Sequence, residues 1–263
     1  MSDRAESVLF EQEGGVAVLT LNRPTVLNAL DAPMAELFLA HVRAIEARDG
    51  VRAILLKGAG KGFCAGGDVS QFLAGGDIVT AIAAIMDPLH EALRVLDSLP
   101  QPTIACLHGA VAGGGLSLAL ACDLAIAAEN ARFSMAYARI GATPDLAGSF
   151  HLPRLVGLRK AKEIALLGET FDAAEALRLG LVNRVVPSEQ AEQEALALAR
   201  RLAEGPTQAY GRIRRLLASA ADHDLAAHLE AEQQTFAEST RTADFREGVT
   251  AFLEKRPARF AGR

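Results

Sequence analysis

Two short glycine-rich runs are the most informative chemical feature of the sequence. The first run, residues 65–68, ends in Gly67 and Asp68, and the second, residues 113–115, opens an apolar segment. Glycine lets backbone N–H groups approach a ligand closely. Two such groups directed at one oxygen form an oxyanion hole, and a helix start adds unpaired N–H groups and the positive end of its dipole. The runs therefore predict stabilisation of an enolate formed from a carbonyl compound, with two tight strand-to-helix turns as the alternative.

Two other kinds of chemistry are suggested by local patterns and fail on spacing. Residues 58–62 place a lysine among glycines, but a phosphate-binding loop needs four residues between its glycines and a Ser or Thr after the lysine. His223 and His228 are five residues apart, whereas two ligands on a zinc-binding helix are four apart. We therefore predict neither nucleotide hydrolysis nor a metal site.

Composition limits the class of protein. Half of the 263 residues are hydrophobic, which is enough for a sizeable core. The 27 basic and 32 acidic residues give a net charge of −5, and without a basic block no nucleic-acid partner is expected. Cys64, Cys106 and Cys122 form no CxxC pair, and the N-terminal residues carry charges in place of an apolar leader. These features predict a cytoplasmic protein without a membrane partner.

Hydrophobic periodicity predicts alternating strands and helices in the first half of the chain. The predicted strands are 16–21, 53–57, 103–108, 124–127 and 132–134, and the predicted helices are 34–47, 78–99 and 114–121. The apolar stretch 104–128 is long enough to span a bilayer, but His108, three glycines and Asp123 interrupt it. It is better explained as strand, turn, helix and strand.

Glycines mark the remaining boundaries. From Leu146 onward the pattern is nearly all helical, and Gly205-Pro206 is the predicted boundary between a core of residues 1–204, which contains the site, and a helical region of residues 205–263. The helices of this second region carry apolar stripes that predict packing against other subunits. Gly75-Gly76 predicts a mobile loop.

Several short motifs occur along the chain in a fixed order. They are NRP at 22–24, LNAL at 27–30, FCAGGD at 63–68, HG at 108–109, AGGG at 112–115, ACD at 121–123, LPRLVG at 152–157, FREG at 245–248 and FLEKR at 252–256. In order and spacing they resemble the crotonase family, also called the enoyl-CoA hydratase/isomerase family, over nearly the whole chain. The resemblance implies an α/β fold in which a crotonase-like spiral of ββα units precedes a C-terminal helical trimerisation region.

The resemblance also implies an acyl-CoA thioester as substrate and a homotrimer or a dimer of trimers as the assembly. Coenzyme A is part of that substrate, so no separate cofactor is expected. Arg23, Leu27, Ala29, Ala65 and Asp68 would surround the coenzyme A path. Phe252 and Lys255 would approach the adenine from a neighbouring subunit. The alternatives are that Phe252 is a core side chain and that Lys255 is solvated.

The catalytic residues differ from those of the family's hydratases. Hydratases that resemble this chain add water with two glutamates, and the aligned positions here hold Ser117 and Tyr137. Neither is an ionised base near neutral pH. Asp145 falls where dienoyl-CoA isomerases, ring-oxepin isomerases of phenylacetate degradation and aryl-CoA dehalogenases carry an aspartate. Its alternative role is the N-cap of a helix that starts at Leu146.

The sequence is most similar to the phenylacetate-pathway isomerase branch, which predicts an acyl-CoA double-bond isomerase. The thioester oxygen would lie between the N–H groups of Gly67 and Gly114, and Asp145 would move a proton from C2 to C4. Desolvation is expected to raise the pKa of Asp145. The residues expected to shape the substrate pocket are Leu116, Ser117, Met135, Tyr137 and His90.

Three alternative functions stay open. One is an enoyl-CoA hydratase, and another is a catalytically weak acyl-CoA binding protein. The third is an aryl-CoA dehalogenase, whose branch uses an aspartate nucleophile, a tryptophan near the position of Tyr137 and a histidine around His90. The chain has no tryptophan, and His90 also fits an ordinary helix-face histidine.

Overall fold

The computed structural model describes residues 6–72 and 77–263, so the predicted mobile loop at Gly75-Gly76 lies outside the described residues. The strands are β1 (Val8–Glu13), β2 (Val16–Leu21), β3 (Ala53–Gly58), β4 (Thr103–Leu107), β5 (Ala110–Ala112), β6 (Leu124–Ala128), β7 (Arg132–Ser134), β8 (Phe171–Asp172) and β9 (Arg184–Val186). The α-helices are α1 (Ala32–Glu46), α2 (Val69–Phe72), α3 (Ile78–Ser98), α4 (Gly114–Leu120), α5 (Gly148–Val156), α6 (Leu158–Leu167), α7 (Ala173–Arg178), α8 (Ala191–Ala203), α9 (Thr207–Ser219), α10 (Leu225–Ser239) and α11 (Ala243–Leu253). Short 3₁₀ turns lie at Pro24–Val26, Ala136–Ile140 and Ser188–Gln190.

The main sheet has six strands in the order β1-β2-β3-β4-β6-β9. Strands β1 and β2 pair antiparallel, and the other neighbours pair parallel. Every residue of β2 and β4 is buried, because both faces of the sheet are covered. Helix α8 covers one face with the buried residues Ala191, Ala195, Ala199 and Ala203, whose four-residue spacing forms one apolar stripe.

The predicted elements of the first half are confirmed to within about two residues, as is the division of 104–128 into strand, turn, helix and strand. The expectation of an almost entirely helical second half was wrong at β8 and β9. Both strands are only two or three residues long, too short for a periodicity signal. Among the described residues, no helix is both long and apolar enough to cross a membrane.

Two isolated parallel bridges bring the loops around the glycine runs together. Cys64, in the loop after β3, pairs with Val111 of β5, and Leu30, before α1, pairs with Gly67. Strand β5 in turn pairs with β7 in a second, three-stranded sheet, β5-β7-β8. The segment after β7 therefore lies beside the turn that precedes α4. Residues far apart in sequence converge at this place.

Candidate active site

The first glycine run is held in an extended conformation by Leu30. The N–H of Leu30 donates to the carbonyl of Gly66 over 2.7 Å, and its own carbonyl accepts from the N–H of Asp68 over 2.8 Å. Gly67 lies between these two bonds, so its N–H points away from Leu30, as the alternation of an extended strand requires. Gly66 has a φ of +105°, a conformation that favours glycine.

The second glycine run turns from β5 into α4 against the first run. Gly113 has a φ of +50°, and Gly115, two residues further on, faces the loop after β3. A Cβ atom on Gly115 would lie 2.2 Å from the carbonyl oxygen of Cys64, so any larger residue there would displace the backbone. Among the hydrogen bonds of the described residues, none uses the N–H of Gly67 or Gly114 as donor. Both groups are available to a ligand.

Asn28 organises the loop that leads into the first run. It is fully buried with a φ of +57°, and its side-chain amide donates to the carbonyls of Ala59, Gly62 and Phe63 over 2.8–3.1 Å. Its side-chain oxygen accepts from the N–H of Arg23 over 2.8 Å. The sequence motif contained Asn28, but nothing local to the motif showed that it crosslinks two loops.

Residues expected to surround coenzyme A are close together at the same loops. The guanidinium of Arg23 lies 3.1 Å from the Asp68 carboxylate and also donates to the carbonyl of Ala29. The N–H of Ala65 donates to the carbonyl of Leu27 over 3.0 Å. A second ion pair of the Arg23 guanidinium, with the Asp31 carboxylate at 3.0 Å, fixes the start of α1 to this cluster.

Phe252 and Lys255 lie elsewhere, at the end of α11 and just beyond it. The side chain of Phe252 is 83% exposed, and Lys255 is exposed with a φ of +54°. Neither lines the cavity beside the glycine runs within this chain. Their expected role from a neighbouring subunit stays a prediction.

Asp145 lies opposite the second glycine run. A methyl group added to Gly114 would lie 3.8 Å from its Oδ1 atom. The hydroxyl of Tyr137 donates to that same oxygen, and the Ser117 hydroxyl lies 3.0 Å from the Tyr137 hydroxyl. The structure thus joins Asp145 to the two positions that the sequence comparison with hydratases singled out.

The alternative reading of Asp145 as a helix cap is wrong. Leu146 and Ala147 both have a left-handed conformation, with φ of 46° and 60°, so α5 begins only at Gly148. Ala147 occupies the N-cap position, and no side chain caps the helix. The Asp145 side chain instead accepts a hydrogen bond from the Tyr137 hydroxyl.

The electrostatics of the carboxylate follow from burial and two neighbours. Desolvation raises the pKa of Asp145, and the Tyr137 hydrogen bond and the charge of His90 partly oppose that rise. The pKa of Tyr137 is also raised, first by burial and then by the nearby Asp145 charge. Tyr137 therefore stays protonated and acts as a donor. Asp145 is a carboxylate with increased proton affinity, as a proton-transfer group requires.

A cavity of about 670 Å³ extends from the glycine runs past Asp145. Its wall includes Gly67, Gly114, Tyr137, Asp145 and His90. Among the described residues that line it, Asp145 is the only carboxylate. The cavity therefore places one acid beside two unpaired backbone donors.

Three expected pocket residues do not line this cavity. Leu116 and Ser117 of α4, and Met135 just after β7, are at most 1% exposed and lie behind its wall. Helix α3 instead contributes Ile82 and Met86, which the prediction missed. Their four-residue spacing, continued by His90, was a signal in the sequence that one face of this helix has a common role.

Two other kinds of catalysis lack support in the described part of the chain. The thiol of Cys64 is fully buried beside the glycine run, and burial raises its pKa to about 12, so it is not a ready nucleophile. In residues 6–72 and 77–263, no group of three or more His, Cys, Asp and Glu side chains could hold a metal ion. The arrangement is suited to proton transfer next to a carbonyl whose oxygen binds backbone N–H groups.

Comparison with known proteins agrees with this geometry. A family model described as enoyl-CoA hydratase/isomerase matches residues 11–263. The chain is 41% identical to a probable enoyl-CoA hydratase from Rhodobacter capsulatus, with 98% of each chain covered. It is 38% identical to a 1,2-epoxyphenylacetyl-CoA isomerase from Escherichia coli, covering 98% of this chain and 99% of the relative.

Solved structures extend the comparison to the fold. The crystal structure of a putative enoyl-CoA hydratase from Streptomyces coelicolor A3(2) superposes with a TM-score of 0.91 at 35% identity, covering 100% of this chain and 97% of the other. The chain belongs to the enoyl-CoA hydratase/isomerase family, with the α/β crotonase fold and C-terminal helices. It is an enzyme of a family that acts on acyl-CoA thioesters.

Proposed function

We propose that this chain is an acyl-CoA double-bond isomerase that converts a 3-enoyl-CoA to a 2-enoyl-CoA. One observation carries the proposal: Asp145 is the only carboxylate among the described residues of the cavity, and it faces Gly114, one of the two residues with unpaired N–H groups. A double-bond shift needs one base that removes a proton and returns it elsewhere on the same face. Hydration by the two-carboxylate route needs a second acid.

Substrate binding would begin at the glycine runs. The thioester oxygen accepts hydrogen bonds from the N–H groups of Gly67 and Gly114, the second at the positive end of α4. Arg23, Leu27, Ala29, Ala65 and Asp68 hold the coenzyme A portion in this proposal. The acyl chain then extends between α3 and the loop that carries Asp145.

Proton transfer follows from the position of the carboxylate. The Tyr137 hydroxyl holds Oδ1 of Asp145, and the carboxylate takes the proton from C2 of the substrate. The electron pair of the broken C–H bond moves into the thioester dienolate, whose oxygen carries the negative charge. Asp145 then returns the proton at C4, and the double bond forms between C2 and C3.

The acyl group is proposed to be of the ring-oxepin type. The name of the Escherichia coli relative, a 1,2-epoxyphenylacetyl-CoA isomerase, supports a ring-containing thioester and a role in phenylacetate catabolism. Names of other relatives support hydration, so the test must separate the two reactions.

A thioester panel tests the proposal. Turnover is measured with an aliphatic 3-enoyl-CoA, a ring-containing 3-enoyl-CoA and crotonyl-CoA. Isomerisation is expected to exceed crotonyl-CoA hydration by ~10²–10⁴-fold, the usual contribution of one general acid or base. Hydration at a rate equal to isomerisation contradicts the proposal. Binding without any turnover supports an acyl-CoA binding protein instead.

The panel also includes a 4-chlorinated aromatic thioester, because His90 lines the same cavity as Asp145. Chloride release from this compound would support the dehalogenase alternative. We expect none, since Tyr137 stands where the resemblance places a tryptophan in that branch.

The assembly is proposed to be a homotrimer or a dimer of trimers, built through residues 205–263. Support comes from large exposed apolar side chains on the last helices: Leu217, Leu225, Leu229, Phe236, Phe252 and Leu253. Light scattering is expected to give three or six times the 27.7 kDa chain mass, and a monomer at micromolar concentration contradicts the proposed assembly. A cytoplasmic location and the lack of a nucleic-acid partner stay predictions from the sequence.

A further inference from the structure

The Ser117 hydroxyl is enclosed in the core behind the cavity. Ser117 is 0% exposed on α4, and a methyl group on Gly148 would lie 2.3 Å from its Oγ atom. Among the hydrogen bonds of the described residues, the only partner of this hydroxyl is the Tyr137 hydroxyl, 3.0 Å away. Ser117 therefore meets the reaction site only through Tyr137.

The direction of donation in this pair follows from the number of protons available. An ionised carboxylate accepts hydrogen bonds and donates none, so the single phenol proton of Tyr137 is directed at Asp145. The phenol oxygen then has only lone pairs left for Ser117. The Ser117 hydroxyl must donate, and the three groups form a chain of donors that ends on Oδ1 of Asp145.

We propose that Ser117 is a positioning residue that acts through Tyr137: its hydroxyl fixes the phenol so that the phenol proton holds Oδ1 of Asp145 and keeps the carboxylate oriented in the cavity. This inference rests on the proposed isomerase function. Serial hydrogen bonds strengthen one another, so loss of the first donor weakens the last bond. Ser117 touches neither substrate nor carboxylate, and its effect must vanish when the Tyr137 hydroxyl is removed.

The ionisation of Asp145 gives a readout. The charged and titratable groups that face it are Tyr137, from the turn Ala136–Ile140, and His90, from α3. The Tyr137 hydrogen bond lowers the pKa of Asp145 relative to the value that burial alone would set. Weakening that bond raises the pKa of Asp145. When the pH is lowered, the carboxylate is then protonated at a higher pH than in the wild type, and the activity that needs it is lost there.

The experiment is a double-mutant cycle of Ser117→Ala and Tyr137→Phe, read by the pH profile of kcat/KM for isomerisation. Tyr137→Phe is expected to shift the acid limb of the profile to higher pH by about 1 pH unit. The free energy of one pKa unit is within the range that a hydrogen bond to a charged group contributes. Ser117→Ala is expected to move the limb up by about 0.3 pH unit, the share that cooperative strengthening allows. In the Tyr137→Phe background, Ser117→Ala is expected to cause no further shift of the acid limb.

Ser134→Ala is the matched control. Its buried hydroxyl donates to the carbonyl of Gly168 over 2.9 Å, outside the chain of donors, and this variant is expected to keep the wild-type acid limb. An unshifted limb in Ser117→Ala overturns the inference. So does an equal shift in the presence and absence of the Tyr137 hydroxyl, since that effect would not pass through Tyr137.

A second measurement separates failure of this inference from failure of the proposed function. The ¹³C-carboxyl NMR titration of Asp145, assigned with Asp145→Asn, reports the pKa in the free protein without turnover. If the protein does not isomerise thioesters but shows the non-additive pKa shifts, the proposed reaction is refuted. The hydrogen-bonded series Ser117–Tyr137–Asp145 is then still supported. Additive or absent shifts in an active isomerase refute this series alone.

Discussion

The two sides of the candidate site are built in different ways. One side consists of backbone N–H groups from the glycine runs, and Gly115 lies so close to the Cys64 carbonyl that no side chain fits. The other side consists of the Asp145 carboxylate, which accepts a hydrogen bond from Tyr137 and is followed by two left-handed residues. Backbone hydrogen bonds and excluded volume fix the first side, and a side-chain hydrogen bond holds the second. The reaction can therefore change through substitutions on the second side while the first side keeps its geometry.

Asp145→Asn gives the largest expected effect on catalysis. Asparagine keeps the size of the side chain but cannot take a proton as a carboxylate does, so isomerase kcat is expected to fall ~10²–10⁴-fold. Calorimetric binding of an acyl-CoA is expected to survive, because the N–H groups of the glycine runs are unchanged. Asp49→Asn, at an exposed turn, is the control and should retain full activity. Wild-type turnover by Asp145→Asn would assign the chemistry to another residue.

Gly115→Ala is expected to displace the backbone on the glycine side of the site. The added Cβ would lie 2.2 Å from the Cys64 oxygen, and the strain is expected to lower the free energy of unfolding in urea by about 3 kcal/mol. Activity and stability should fall together, in contrast to Asp145→Asn.

Gly248→Ala is the matched control for that change. Gly248 is also in a helix, α11, but its added Cβ would meet only the Phe260 ring at 3.4 Å. Alanine there is expected to be neutral or to stabilise by up to about 1 kcal/mol, because it favours the helix. Equal unfolding free energies for the two variants would show that the Cys64 contact is not tight.

His90→Gln gives the smallest expected effect. The positive charge of His90 lowers the pKa of Asp145, so its removal raises that pKa and moves the acid limb of kcat/KM to higher pH by a few tenths of a unit. The shift should shrink in high salt, because ions screen this interaction. Wild type at both salt concentrations provides the reference. A limb that moves to lower pH contradicts this role of His90.

The sequence by itself determined most of the longer elements of the first half and the chemical groups. Strand β2 and helix α3 follow from periodicity because the pattern of apolar residues is local to each element. The glycine runs and Asp145 could be identified because glycine and a carboxylate are chemically distinctive at the positions that the motif order supplied. The residues proposed for the oxyanion hole and for proton transfer were therefore named before any contact was known.

Only the tertiary structure decided which groups meet. Leu116 and Met135 look like pocket residues in the sequence. The orientation of α4 buries Leu116 behind the cavity wall, and the turn after β7 buries Met135 there. The sequence allowed Asp145 to cap a helix, and two left-handed residues excluded that role. The contact of Ser117 with Tyr137 joins α4 to a turn twenty residues later in the chain. Such contacts depend on long-range packing, which no local pattern of residue types specifies.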